Sequence, residues 1–173
     1  MLKIGESTPS FREPLALLRA CHQRILRHCD TLERIPAHLA SVGVDAQAVE
    51  AATRILRYFD EAGPAHHADE EQQLFPWLRS QPACAKDVQE VLHELSKEHR
   101  QLEKAWHDLA TDLRQLVATR RYSNLRWEPF VSLNRRHVQI ENDDIYPLAE
   151  RLLDPQTAAE LGAAMAARRS IRG

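Results

Sequence analysis

"HHADEEQQLFP", residues 66–76, and "HVQIENDDIYP", residues 137–147, are one pattern written twice. Each has a histidine, a glutamate at +4 (Glu70, Glu141) and an aliphatic residue at +8 (Leu74, Ile145). An aromatic follows at +9 (Phe75, Tyr146) and a proline at +10 (Pro76, Pro147). An α-helix turns about 100° per residue, so side chains four apart point nearly the same way, one turn along. His66 therefore shares a face with Glu70, and His137 with Glu141. His67 lies about 100° round from His66 and has its own acid, Glu71, at +4. The repeat register selects His66. His67, Asp69 and Glu71 are expected on the outer faces.

The repeat extends upstream. Leu15, Leu18, His22, Ile25, Cys29 and Leu32 align with Leu92, Leu95, His99, Leu102, Trp106 and Leu109. Steps of three and four are the seam of a bundle helix. Phe130, Leu133, His137, Glu141, Ile145 and Leu148 continue the pattern near the end of the chain. Four helices are expected, at about 13–39, 46–78, 85–118 and 125–153. Asp45 is the N-cap of the second. Gly63-Pro64 should kink or restart that helix. Pro82 and "TRRYSN" mark turns, and Asp154-Pro155 starts a short terminal helix. The fold class is all-α: an up-down four-helix bundle over residues 12–153, with a short C-terminal helix and tail over 154–173. The two hairpins should be related by an approximate two-fold axis.

Composition narrows the class of function. The 173 residues suffice for one domain with a sizeable core. A formal net charge of −2 gives no electrostatic footprint for nucleic acid or anionic membrane. "MLKIGESTPSFREPLALL" has no apolar run of leader-peptide length, and nothing approaches the roughly 20 apolar residues of a membrane span. Cys21, Cys29 and Cys84 form neither a disulfide framework nor a zinc knuckle, so a cytoplasmic location is expected. Nine histidines are many for this length and point towards metal chemistry.

The seam carries that chemistry. His22, His66, Glu70, His99, His137 and Glu141 give four imidazoles and two carboxylates, more than a tetrahedral zinc site needs. The set suits two ions, each with two imidazoles and both bridged by the carboxylates. Mixed nitrogen and oxygen donors favour iron or manganese, and cations would compensate two buried glutamates. A lone seam histidine is usually a hydrogen-bonded core residue, and one HxxxE is usually a solvated pair. Four such histidines in a repeat reverse that reading. By phase, His28 and His93 face solvent or a rim, and His107 is about 80° off the seam. His38 is near a loop. Glu103, about 40° off the seam, is an extra ligand, an acid behind the ligands or a rim residue.

The pattern H…HxxxE(xxx)LFP…EH…HxxxE(xxx)IYP resembles the hemerythrin-like, or HHE cation-binding, domain over about residues 12–153. The resemblance implies a non-haem di-iron centre, two iron ions held by His22, His66, Glu70, His99, His137 and Glu141, with manganese or a mixed pair as variants. Oxygen-carrying hemerythrins have HxxxH on the third helix and HxxxxD on the fourth. Here Glu103 and an HxxxE stand instead, so a fifth histidine is missing. The four-His, two-Glu set is nearer to the bacterial repair-of-iron-centres proteins. Those usually carry an extra N-terminal cysteine domain, whereas this chain starts at the first helix. The implied ligand is a small diatomic or peroxide (O2, NO or H2O2), in sensing or in oxidative and nitrosative stress. Iron donation or storage and peroxide or nitric-oxide reduction are the alternatives.

Overall fold

The computed structural model describes residues 10–122 and 124–170. The reading of residues 1–9, Ser123 in the "TRRYSN" loop and the end of the tail lie outside them. Helix α1 spans Pro14–Val42, and α2 spans Ala46–Asp69. A π turn, Glu70–Leu74, leads into α3, Phe75–Ser80. Helix α4 is Lys86–Thr119, and α5 is Glu128–Ile140. A second π turn, Glu141–Ile145, leads into α6, Tyr146–Leu152, and α7 is Pro155–Ser170. No strand occurs among the described residues.

Three residues join α1 to α2. Gly43 ends α1 at φ +86°, its N–H bonded to Leu39 O; a left-handed residue there costs glycine little. Asp45 then caps α2, its carboxylate accepting from the Ala48 N–H at 2.9 Å. So short a link folds α2 back on α1. Helix α2 packs on α4, α4 on α5, and α5 on α1, which closes a four-helix ring. No helix is long and apolar enough to cross a membrane among the described residues.

The expected seam is the observed core. Leu15, Leu18, Ile25, Cys29 and Leu32 are buried, as are Leu92, Leu95, Leu102, Leu109, Leu113 and Leu116. Each fully buried aliphatic side chain contributes roughly 1.5–3 kcal/mol. The core divides in two. One cluster contains Ile25, Phe59, Leu102, Leu109 and Phe130. The other contains Leu18, Leu74, Phe75, Leu95, Ile145 and Tyr146. The seam histidines lie between them in sequence on α1 and α4, so a polar layer is sealed above and below by apolar side chains.

Two expectations change. Gly63-Pro64 neither ends nor restarts α2, which runs unbroken to Asp69. Pro64 is on the exposed side of the helix, where a lost N–H bond costs least. The irregularity lies instead at the two π turns. The Phe75 N–H bonds Glu70 O, and the Tyr146 N–H bonds Glu141 O, five residues back in each case. The extra residue shifts the register beyond each glutamate, so Ala149 rather than Leu148 is fully buried. Both turns begin at the same point of the repeat, which supports the two-fold relation between hairpins. The terminal helix, 16 residues long, packs on α1 and α2 as an integral part of the domain.

Candidate metal centre

His22, His66, Glu70, His99, His137 and Glu141 meet in the polar layer, each no more than 4% exposed. They form two groups of four donors. His22, His66, Glu70 and Glu141 make one, and Glu70, His99, His137 and Glu141 the other; within each, the donor atoms lie within 4.8 Å of one another. The glutamates belong to both groups and divide their oxygens between them. Glu70 Oε1 is 3.5 Å from His66 Nε2, and its Oε2 is 3.3 Å from His99 Nε2. Glu141 Oε2 is 3.0 Å from His22 Nε2, and its Oε1 is 3.2 Å from His137 Nε2. One oxygen to each side is the disposition of a bridging carboxylate.

The ring orientations are set from behind. His22 Nδ1 donates to Asn142 Oδ1 at 2.9 Å, and His99 Nδ1 to Glu71 Oε1 at 2.8 Å. His137 Nδ1 donates to Glu98 Oε2 at 2.9 Å, and Arg136 pairs with Glu98 in turn. Each such bond fixes the tautomer that leaves a lone pair on the inward Nε2. The repeat is visible here too. Glu71 follows Glu70 and holds His99 across the hairpins, while Asn142 follows Glu141 and holds His22. Phe75 stacks on His99 at 5.9 Å and Tyr146 on His22 at 5.0 Å. Tyr146 O–H donates to Glu70 Oε1 at 2.5 Å. The symmetry breaks at Glu98, whose counterpart is Cys21. His66 Nδ1 accordingly has no hydrogen-bond partner among the described residues.

These donors fit cations better than one another. Glu70 Oε2 and both oxygens of Glu141 are buried without a hydrogen-bond partner among the described residues. His99 Nε2 and His137 Nε2 face each other at 3.0 Å. With both Nδ1 atoms engaged as donors, that pair needs a proton or a metal ion between its lone pairs. The titration pattern agrees. Burial alone would lower His137, yet the charge of Glu141 and the bond to Glu98 push it up to about 10. Burial would raise Glu141, but His137 and His22 hold it well below the carboxylate range. Glu70 is raised by burial and by Glu141. His66 is lowered, first by burial. Protons on imidazoles thus do the charge compensation that a cation would otherwise do.

The three residues expected on outer faces are not there. Asp69 is 1% exposed and pairs with Arg168 and, at 2.7 Å, with Arg169 of α7. Glu71 orients His99. His67 is half-buried and stacked on His99 with ring centroids 4.1 Å apart. Helical phase alone gives one buried stripe per helix, whereas α2 is covered by α1, α4 and α7. Glu103 is exposed and belongs to neither donor group. It lines a cavity of about 280 Å³ with Phe59, Trp106, Phe130, His67 and His99. His93 and His107 are exposed, and His28 is half-buried against Tyr58. Glu98 and Asn142 escaped the sequence reading. Their signal is their position, immediately before and after a seam donor.

A relative from Haemophilus influenzae, itself described only as an uncharacterized protein, is 30% identical over 165 residues, 94% of each chain. The hemerythrin HHE cation binding domain matches residues 13–149, from the N-cap of α1 to the middle of α6. With that match and the shared-carboxylate histidine cluster, the chain belongs to the hemerythrin HHE cation-binding family.

Proposed function

We propose that the chain is a carboxylate-bridged di-iron protein that binds a small diatomic or peroxide, O2, NO or H2O2, in a cytoplasmic oxidative or nitrosative stress response. The observation that carries this reading is the divided aim of Glu70 and Glu141, one oxygen to each histidine pair. His22 and His66 would hold one ion, and His99 and His137 the other, with both glutamates between. Iron held there supplies an open coordination position and a change of oxidation state. Manganese fits the same donors.

The chain's own residues prepare the chemistry. Asn142, Glu71 and Glu98 keep three imidazoles aimed inward. The apolar clusters on either side exclude water and strengthen every charge interaction in the layer. Tyr146 holds a proton at Oη, 2.5 Å from Glu70 and 3.2 Å from His22 Nε2. The cavity walled by Phe59, Trp106 and Phe130 reaches His99 and gives a small solute a route to the layer. Three buried free cysteines support a reducing compartment.

Metal content and absorption spectrum of protein from iron-replete cells, with and without O2 or NO, test the reading against a His99→Ala variant. Stoichiometric iron with a gas-dependent band, lost in the variant, is expected. Equal metal in both proteins refutes the assignment.

A further inference from the structure

We infer that the cavity between α2 and α4 is a binding site for a neutral single-ring phenol. This ligand class lies beyond the diatomics and peroxide proposed above, and the inference does not rest on the two-ion reading. Size comes first. A water's share of liquid is roughly 30 Å³, and an interior cavity of roughly 150 Å³ takes benzene. The cavity here holds about 280 Å³, far more than a diatomic needs and close to the roughly 300 Å³ at which small-molecule sites begin. Its wall suits a flat ring. Phe59 packs on Phe130 at 4.8 Å and on Trp106 at 5.0 Å, and those two meet at 5.3 Å, so each ring holds the others in place. Trp106 Nε1 donates to Asp60 Oδ1 at 3.1 Å, and Arg114 holds Asp60 at 2.7 Å. The indole N–H is thus engaged on a residue that does not line the cavity, and the wall offers hydrocarbon.

Two unengaged polar groups line this apolar space. Asn134 is 3% exposed, and its Nδ2 donates to Phe130 O at 2.9 Å. Its Oδ1 accepts no hydrogen bond among the described residues, and a buried acceptor without a donor is costly. A ring hydroxyl supplies that donor. His67, stacked on His99, has no hydrogen bond at either nitrogen among the described residues and offers a second polar contact. The carboxylates of Glu71 and Glu103 at the same cavity disfavour an acid. Gly63 gains a purpose from this. Glycine inside a helix is unfavourable. Gly63 is buried, yet a Cβ there would meet Phe59 Cδ1 at an ordinary 3.6 Å and nothing nearer. Packing does not demand glycine at this position; the missing side chain leaves width in the cavity wall.

Calorimetric titration of the purified protein with phenol, toluene and benzoate tests the assignment. Phenol should bind with a Kd of about 1 mM or tighter, within reach of a ligand of that size, and benzoate more weakly. Asn134→Leu should weaken phenol about tenfold, the worth of one hydrogen bond, and leave toluene unchanged or tighter. Gly63→Ala should weaken both phenol and toluene, and Gly63→Leu should abolish both, with wild-type melting temperature and metal content retained. Phenol that does not saturate wild-type protein, that binds Gly63→Leu as it binds wild type, or that binds more weakly than benzoate overturns the site. Phenol binding undiminished in a folded Asn134→Leu overturns recognition of the hydroxyl. Failure of the protein to take up iron would sink the two-ion reading and leave these titrations as they stand.

Discussion

Replacing Asp69 with alanine should lower the melting temperature by about 4–12 °C. The carboxylate is fully buried, and Arg168 and Arg169 meet one oxygen each. Removing one member of a buried ion pair costs about 3–5 kcal/mol when the partner stays buried. Here the guanidinium side chains keep 15% and 30% of their exposure, and Arg168 also reaches Gln72 at 2.9 Å and Gln73 at 2.5 Å. The orphaned charges regain some water, so the cost falls to about 2–3 kcal/mol. A domain of 150–250 residues loses about 2–4 °C per kcal/mol, which gives the range above. Thermal circular dichroism of wild type, Asp69→Ala, Arg168→Ala with Arg169→Ala, and the triple variant isolates the pairing energy. A drop below about 2 °C, or a coupling energy under about 0.5 kcal/mol in that cycle, would show that α7 is not anchored through Asp69.

Three further outcomes are expected. Metal-free protein should lose stability as pH rises from about 6.5 to 10: His137, raised to about 10, stabilises the fold fully below the ordinary histidine value and ceases to do so as it deprotonates. His66 and His67, both lowered, act with the opposite sign, but their effect is complete by the ordinary value; urea melts at pH 6.5, 8 and 10 check the slope. Glu98→Gln should weaken metal binding by about 10–100-fold, because the amide no longer supports His137 as a charged acceptor, and chelator competition measures this. Gly162→Ala should loosen the packing of residues 10–12 on α7, since an added Cβ falls 1.7 Å from the Phe11 carbonyl oxygen; limited proteolysis from the N-terminus should speed up relative to an Ala163→Ser control.

The seam was legible because burial on a bundle helix follows a period near 3.6, and histidine or glutamate placed on that period has nowhere to point but inward. What lay beside the seam was less legible. Asp69 and Arg168–Arg169 are charged at both ends, so no apolar pattern announces that they meet in the interior. Only the docking of α7 brings them together. Glu71 read as solvent-facing because its partner is on another helix, 28 positions away. The π turns left a faint trace, the adjacent apolar pairs Leu74-Phe75 and Ile145-Tyr146, where a regular helix would space them three or four apart. Gly63-Pro64 does not restart the helix because the proline is on the outward side, where its missing N–H costs least.

The exchange of glutamates has a mechanical consequence. Each proposed ion takes two imidazoles from one hairpin, with a carboxylate from its own hairpin and one from the other. The hairpins then cannot part while either ion is held, just as two sheets pinned at two points cannot slide. Unfolding of the loaded protein should wait on metal dissociation, so its lifetime would be set by an off-rate rather than by its equilibrium stability. Cells that withdraw iron would thereby shorten the life of the fold itself.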